Sequence, residues 1–349
     1  MRRASKTVPI LLAIAVTFLA IWFLKATKVI TMPLAFAFFI AVLVYPLQRW
    51  FNRYLPKWLS MLLVMLLLAG IFSLGIGALV LSAEIVAPKL PEYAARFQQF
   101  IQTIISWAQQ RGLPVGQGIS SESLNQIASE AFRRLGSVTE TLSLFVLVVA
   151  MLILLLLEVS EYRRKIKRGF SHRMSDKLIY AVSKMSGKLR RYILIQSFTS
   201  LLTGIFTALW CWIVGVDFAF VWGLVSFVLN FVPTIGSIIA VLPPTLLALI
   251  FNGFTTGLLT LAGLAVIQWL LGNIVDPRLQ GRSLQLSPFV ALVSIVFWGW
   301  VWGIGGALIA VPMTVSIVVL CLEFKQTREI ALLLGDANTW DEIQDRNYS

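Results

Sequence analysis

Asp276 is the only acid between Asp217 and Glu323. It lies in the run Gly272-Asn273-Ile-Val-Asp276-Pro277-Arg278-Leu-Gln-Gly281-Arg282-Ser283, beside a proline and two arginines. A carboxyl in apolar surroundings can pair with a neighbour such as Arg278, bind a polar solute, or carry a proton or cation. Upstream, Gln196, Ser200, Thr203 and Thr207 recur every three or four residues, with Gly204 beside them. That spacing puts an amide and three hydroxyls on one helical face. Such a face either lines a solute path or lets a neighbouring helix approach closely. Gln268 and Asn273, on the next apolar run, offer amides that can face this stripe. Trp298, Trp300 and Trp302 alternate beside glycines; their rings can stack on a solute, gate its path, or form an interfacial belt. No catalytic constellation accompanies these groups. The single histidine is His172, and Cys211 and Cys321 stand far apart without metal-ligand spacing. No metal, disulfide framework or cofactor is therefore expected. No nucleotide-binding loop is present either, so the chain reads as a non-enzyme that does not use ATP by itself.

The elements that must hold these residues are apolar. Of 349 residues, 58% are hydrophobic and 13% charged, and the mean hydropathy is +0.84. This excludes a soluble enzyme, a disordered scaffold and a secreted disulfide module. It leaves a polytopic membrane protein. Apolar runs long enough to span a bilayer as helices are expected at Val8–Leu24, Ile30–Leu47, Ser60–Leu81, Thr141–Glu158, Tyr192–Val214 and Phe254–Asn273. The first of these reads as an uncleaved span, because Lys25 follows it directly.

Two further apolar stretches, Phe218–Ile250 and Ser287–Val319, do not fit one crossing. A straight helix of such length would run ~50 Å against a hydrocarbon core of ~30 Å. Each is broken near its middle. In the first, Asn230, Pro233, Thr234, Gly236 and Ser237 form the break. Pro233 lacks an N–H, and Gly236 permits a reversal. Each stretch is expected to form a helical hairpin dipping into the membrane. Freed backbone groups at such breaks become ligands for a solute. The alternative is a pair of kinked, packed helices. Ile235-Gly236-Ser237-Ile-Ile-Ala-Val-Leu-Pro-Pro-Thr245 and Ile304-Gly305-Gly306-Ala-Leu-Ile-Ala-Val-Pro-Met-Thr314 are related in lettering, which indicates a weak internal repeat.

Charge fixes the expected orientation. Arg2, Arg3 and Lys6 place the N-terminus in the cytoplasm, and Arg49, Arg53 and Lys57 follow the second span on the same side. Ser82–Ser137 then lies outside. Its Leu90, Tyr93, Phe97, Ile101, Ile104 and Trp107 recur at helical spacing, and a second stripe runs from Leu124 to Leu135. Ser160–Arg191 carries eleven basic residues and reads as a basic amphipathic helix pair on the anionic inner leaflet. On this topology 22 of the 29 basic residues lie inside. The net charge of +13 is therefore an orientation signal, and nucleic acid is not an expected partner. By parity the first hairpin opens outside and the second inside, an inverted pair of the kind transporters use.

The fold expected is an all-α polytopic membrane protein. It has six clear transmembrane helices, two broken hairpins of opposite orientation and a small extracytoplasmic helical domain. Residues 1–81 hold transmembrane helices 1–3, 82–138 the small outer domain and 139–159 the fourth span. Residues 160–191 form the basic cytoplasmic helices, 192–322 the transport core and 323–349 a cytoplasmic tail. Candidate substrate or ion ligands are Asn230, Pro233, Thr234, Gly236, Ser237, Gln268, Asn273, Asp276, Arg278 and Gly305. Candidate path-lining residues are Gln196, Ser200, Thr203, Thr207 and Trp300.

Three runs carry a family resemblance. They are Phe220-Val-Trp-Gly-Leu-Val-Ser-Phe-Val-Leu-Asn-Phe-Val-Pro-Thr-Ile-Gly-Ser237, the Gly272–Ser283 run, and Phe297-Trp-Gly-Trp-Val-Trp-Gly303. They resemble the signature of the autoinducer-2 exporter (PerM-like) family of bacterial membrane transporters, and the similarity extends from the first span to Leu334. The resemblance implies an inner-membrane exporter of a small polar signalling molecule. It also implies a homo-oligomer, a pentamer, with an elevator-like mobile part built from the hairpins. Proposed sodium/proton antiporters belong to the same family, so an antiporter using Asp276 is the alternative. A non-transporting membrane scaffold is another. Asn230, Pro233, Gly236, Asp276, Pro277, Arg278 and Gly281 match family motif positions. Where the family often has Trp-Gly-Pro-x-Gly, this chain has Trp302-Gly303-Ile304-Gly305-Gly306, and the missing proline implies a more mobile second tip. Expected partners are membrane lipids, a small polar solute and further copies of the chain.

Overall fold

The computed structural model describes residues 7–111, 138–280, 286–324 and 327–335. Every regular element among them is helical. The second outer stripe, Leu124 to Leu135, lies outside the described residues, as do Arg2, Arg3, Lys6, Gly281, Arg282, Ser283 and the tail beyond Gly335. The helices are α1 (Thr7–Ala26), α2 (Lys28–Phe51), α3 (Lys57–Val86), α4 (Leu90–Gln110), α5 (Val138–Gly169), α6 (His172–Val214), α7 (Ala219–Leu229), α8 (Ile235–Phe251) and α9 (Phe254–Leu270). A π-turn at Leu271–Val275 leads into α10 (Asp276–Gln280). Then follow α11 (Pro288–Trp302), α12 (Ile304–Leu308), α13 (Ala310–Glu323) and α14 (Arg328–Leu334).

Among the described residues four stretches are long and apolar enough to cross a bilayer: Lys28–Phe51, Lys57–Val86, Met174–Val214 and Phe254–Leu279. Six shorter apolar helices accompany them among the described residues. Large apolar side chains such as Phe18, Trp22, Leu74 and Trp212 point outward, an exterior that lipid tolerates and water does not. The chain is a polytopic helical membrane protein. The basic region Ser160–Arg191 falls on two helices that meet at Phe170 and Ser171. α5 runs without interruption through Arg164, Lys165, Lys167 and Arg168, and α6 runs from His172 to Val214. Leu, Met, Lys and Arg are all good helix formers, so the basic turns continue the spanning helices.

The chain divides into two compact units. One contains Leu47–Ser143 and Ile195–Leu279. In it α7 and α8 form a hairpin whose arms have 11 and 17 residues. The shorter arm is only ~16 Å long, well under a bilayer crossing. α7 lies against α6 by backbone contact. A Cβ on Gly204 would sit 2.8 Å from the Gly223 carbonyl oxygen, and one on Gly223 would sit 2.7 Å from that of Gly204. The two ends of the hairpin meet at one place. Asn252 Nδ2 donates to the Gly215 carbonyl at 3.2 Å, and the Tyr93 ring of α4 packs on Phe218 and Phe251, with centroids 5.1 and 4.2 Å away.

The other unit contains Met1–Pro46, Leu144–Leu194 and Gln280–Ser349. α11 starts on Ser287, whose Oγ accepts from the Val290 N–H at 3.4 Å, with Pro288 at the first helical position. α11 and α13 pair as a second hairpin around the short α12. Leu286 at its start packs on Val318, Leu322 and Ala331, so this hairpin too has its ends together. Glu323, almost fully buried, pairs with Lys184 of α6 at 4.0 Å. Arg190 Nε donates to the Val42 carbonyl of α2 at 3.2 Å.

The Gly204–Gly223 contact makes a direct prediction. Gly204→Val forces α7 off α6 at a cost of about 1–3 kcal/mol, whereas Gly70→Ala, where a Cβ meets nothing within 4 Å, is neutral or stabilising. Thermal unfolding in detergent measures both: a lowered Tm is expected for the first variant alone.

Candidate functional site

The site grows from the place where α7 stops. Asn230 caps α7, and Pro233 follows within four residues. The chain then reverses through Thr234, whose φ of 65° and ψ of −57° accompany a hydrogen bond from the Ile235 N–H to the Pro233 carbonyl at 2.7 Å. This is a γ-turn of the strained, positive-φ kind, rare for a β-branched residue. Gly236 closes the tip, because a Cβ there would lie 1.8 Å from the Leu229 carbonyl oxygen. Its role is steric. Thr234 is exposed, and Pro233 and Ser237 are half-buried.

The polar stripe of α6 meets this tip. Gln196 Nε2 donates to the Asn230 carbonyl at 2.6 Å, and Asn230 Nδ2 donates to Ser200 Oγ at 3.0 Å. Two side chains of α6 thus hold both faces of the residue that ends α7. Gln196, Ser200, Thr203 and Thr207 are all buried. Thr203 Oγ1 donates to the Thr199 carbonyl at 2.8 Å, while Thr207 Oγ1 has no hydrogen-bond partner among the described residues.

Asp276 joins from α10. A proline inside a helix removes a donor and presses on the carbonyl four residues back, here Asn273. The chain meets Pro277 by widening into the π-turn, in which the Asp276 N–H reaches back five residues to the Leu271 carbonyl. The helix therefore runs on to Gln280 rather than ending near Asn273. Asp276 is half-buried within this continued helix. The Thr199 hydroxyl faces its carboxyl, and its Oδ1 is buried with no hydrogen-bond partner among the described residues. No ion pair joins Asp276 to Arg278 among the described residues. Two residues apart on one helix, they point in nearly opposite directions, and Arg278 is exposed.

Other expected site residues stay apart. Asn273 is exposed and donates back to the Trp269 carbonyl of its own helix at 3.1 Å, so it does not face the α6 stripe. Gln268 is half-buried. At the second tip Lys25 Nζ lies 3.7 Å from the centroid of the Trp300 ring, which is otherwise exposed. Gly305 packs on Met32, whose Sδ would lie 2.7 Å from an added Cβ. Two polar residues escaped the sequence reading. Thr199, fully buried, sits three residues after Gln196 and next to Ser200, so the stripe's own spacing contained it. Ser226, buried in α7 with an Oγ that has no partner among the described residues, sits in a wholly apolar run that gives no signal.

A family model for AI-2E family transporters matches residues 11–326. The chain belongs to the AI-2E transporter family. The AI-2 transport protein TqsA of Escherichia coli K12 is 30% identical over 314 residues, covering 88% of this chain and 90% of that protein. A putative transport protein of Haemophilus influenzae is 29% identical, covering 93% and 96%. A sodium-lithium/proton antiporter of Halobacillus andaensis is 23% identical, covering 76% and 82%. For this AI-2E family chain the matched residues include both hairpins, the α6 stripe and Asp276.

At the base of the first hairpin, Asp217 holds α4 in place. Tyr93 Oη donates to its carboxylate, Lys89 Nζ lies 3.3 Å from Oδ1, and Trp222 Nε1 donates to its carbonyl at 3.0 Å. The tyrosine hydroxyl, then Lys89, hold the Asp217 carboxyl below its ordinary value of 3.8 against partial burial. Its contribution is therefore complete above pH 3.8 and lost only as pH falls through the lower folded value. Hydrogen exchange of residues 90–100 is expected to stay constant from pH 8 to 5, after correction for intrinsic rates, and to accelerate below 3.8. Asp217→Asn accelerates it at pH 7.

Proposed function

We propose that the chain is a secondary transporter of the bacterial inner membrane. It exports a small polar metabolite, foremost a quorum-sensing signal such as autoinducer-2, by an elevator-like mechanism. The observation that carries this reading is Asp276 Oδ1, a buried acceptor without a partner among the described residues. It stands beside Thr199 on the stripe that latches the first hairpin tip. A solute rich in hydroxyl donors satisfies such an acceptor, and the uncharged Gln196, Ser200 and Asn230 suit an uncharged solute. The latch is light. Hydrogen bonds between membrane helices are worth about 1 kcal/mol each, so breaking two leaves an open tip populated at about a few per cent. The similarity to TqsA supports the substrate class.

The rest of the reading follows the charge pattern. The termini face the cytoplasm, the first hairpin enters from outside, and the second enters from inside as its inverted counterpart. α4 belongs to the outer face, the basic turns of α5 and α6 meet anionic lipid, and the working form is a homo-oligomer, a pentamer. The test is solute flux in proteoliposomes. Asn230→Ala and Asp276→Asn are each expected to cut flux at least tenfold ("tenfold" being ~1.4 kcal/mol) while the protein still assembles. Normal flux in both variants removes the proposed site.

The same orphan oxygen favours a second reading, a sodium/proton antiporter in which Asp276 exchanges a proton for a cation. The similarity to the sodium-lithium/proton antiporter supports it. Sodium pulses on vesicles with a trapped pH dye decide between the two. Sodium-driven proton movement that Asp276→Asn abolishes is expected for the antiporter and not for the exporter.

A further inference from the structure

We propose that the second hairpin is an anchored strut that moves as one body with α1 and α2, leaving gating to the first hairpin. This rests on the transport reading above and departs from an equal role for both hairpins. The tip of the second hairpin is seated on the α1–α2 turn by three contacts. Trp302 Nε1 donates to the Leu24 carbonyl at 3.2 Å, one of the last four carbonyls of α1, which have no partner within that helix. The Lys25 ammonium, 3.7 Å from the Trp300 ring centroid, adds a cation–π contact at the negative end of α1. Gly305 lies against Met32 and Phe36 of α2, where an added Cβ would sit 2.7 Å from Met32 Sδ and 3.5 Å from the Phe36 ring.

The tip is also wound tight on itself. A Cβ on Gly306 would sit 2.0 Å from the Trp298 carbonyl oxygen. Trp298 Nε1 donates to Thr314 Oγ1 at 3.3 Å across the two arms, and the Trp298 and Trp302 rings pack at a tilt of 40° with centroids 4.9 Å apart. The base is held as well, by Leu286 on the Val318–Leu322–Ala331 cluster and by the Lys184–Glu323 pair. Leu24 and Lys25 lie in the last turn of α1, so the tip meets the end of α1 rather than its middle. The first hairpin is likewise wound tight, at Gly236, and held at its base, but its tip is held differently. It is polar, its Thr234 is exposed and held at a strained φ of 65°, and two side-chain hydrogen bonds keep it closed. Two segments with related lettering therefore have different mechanical roles: aromatic side chains fix one, and a polar latch holds the other.

The test uses the full chain with Cys211 and Cys321 changed to alanine, carrying Met32→Cys and Gly305→Cys. Met32→Cys shortens the side chain that Gly305 meets, which makes room for a disulfide. The bond is expected to form on mild oxidation, with autoinducer-2 flux in proteoliposomes unchanged within about twofold of the reduced protein, or ~0.4 kcal/mol. Failure of the bond to form, or a flux lost on oxidation and regained on reduction, overturns the proposal. A second measurement needs no flux, so it separates the strut from the transport reading. Spin labels at Phe18→Cys on α1 and Ile304→Cys at the tip, both exposed, are expected to give one narrow distance distribution at pH 6 and 8, with and without sodium. A second population there overturns the strut. Zero flux in the reduced protein beside a single narrow distribution tells against transport and leaves the strut standing.

Discussion

A helix that stops among apolar side chains leaves backbone groups that its own next turn cannot satisfy. In this protein the Gln196 amide meets that demand for α7 by donating to the Asn230 carbonyl. Much of the first unit is arranged around that bond. α7 can lie close enough to α6 only because Gly204 and Gly223 bring the backbones into contact. The reversal can be short only because Gly236 fits under the Leu229 carbonyl. The strain at Thr234 is tolerated because the tip is pinned on both sides, through the Asn230 carbonyl and the Asn230 amide. A tip built this way is polar at its centre and, among the described residues, holds no fixed charge pair.

Two neighbouring features adapt this site. Pro277 forces the π-turn, and the π-turn keeps the helix going, so that Asp276 remains in a helical span with one oxygen shielded. At the opposite end, Asp217 gathers α4, the start of α7 and the end of α8 around the Tyr93 ring. The first hairpin is therefore firm at its base and lightly held at its tip, the distribution of stability expected of an element that opens locally.

Much of this was legible in the sequence. The period of the polar residues from Gln196 to Thr207 named the face of α6 that meets the tip, and the Asn230–Gly236 run named the reversal. Asp276 was visible as an isolated acid. Its environment was not, because a proline ordinarily signals a helix end and nothing in the run announces that the helix widens and continues. Asn273 read as a partner of the α6 stripe by its position on the next span, yet its amide turned back on its own helix, since a local carbonyl costs less order than a distant one. Ser226 could not have been found at all.

The second tip marks the boundary most clearly. Its missing proline read as mobility, and its tryptophans read as rings for a solute. Lys25, the Leu24 carbonyl and Met32 lie some 280 residues earlier in the chain, ~280 being a separation at which no local rule operates, and they make that tip the more firmly seated of the two. The sequence by itself determined that the chain is helical, membrane-spanning and broken twice, because hydropathy, helical period and the conformational limits of glycine and proline act within a few turns. Only the tertiary structure decided which break is polar and lightly held and which is anchored. That depends on which distant carbonyl, ring or amide packs against each tip.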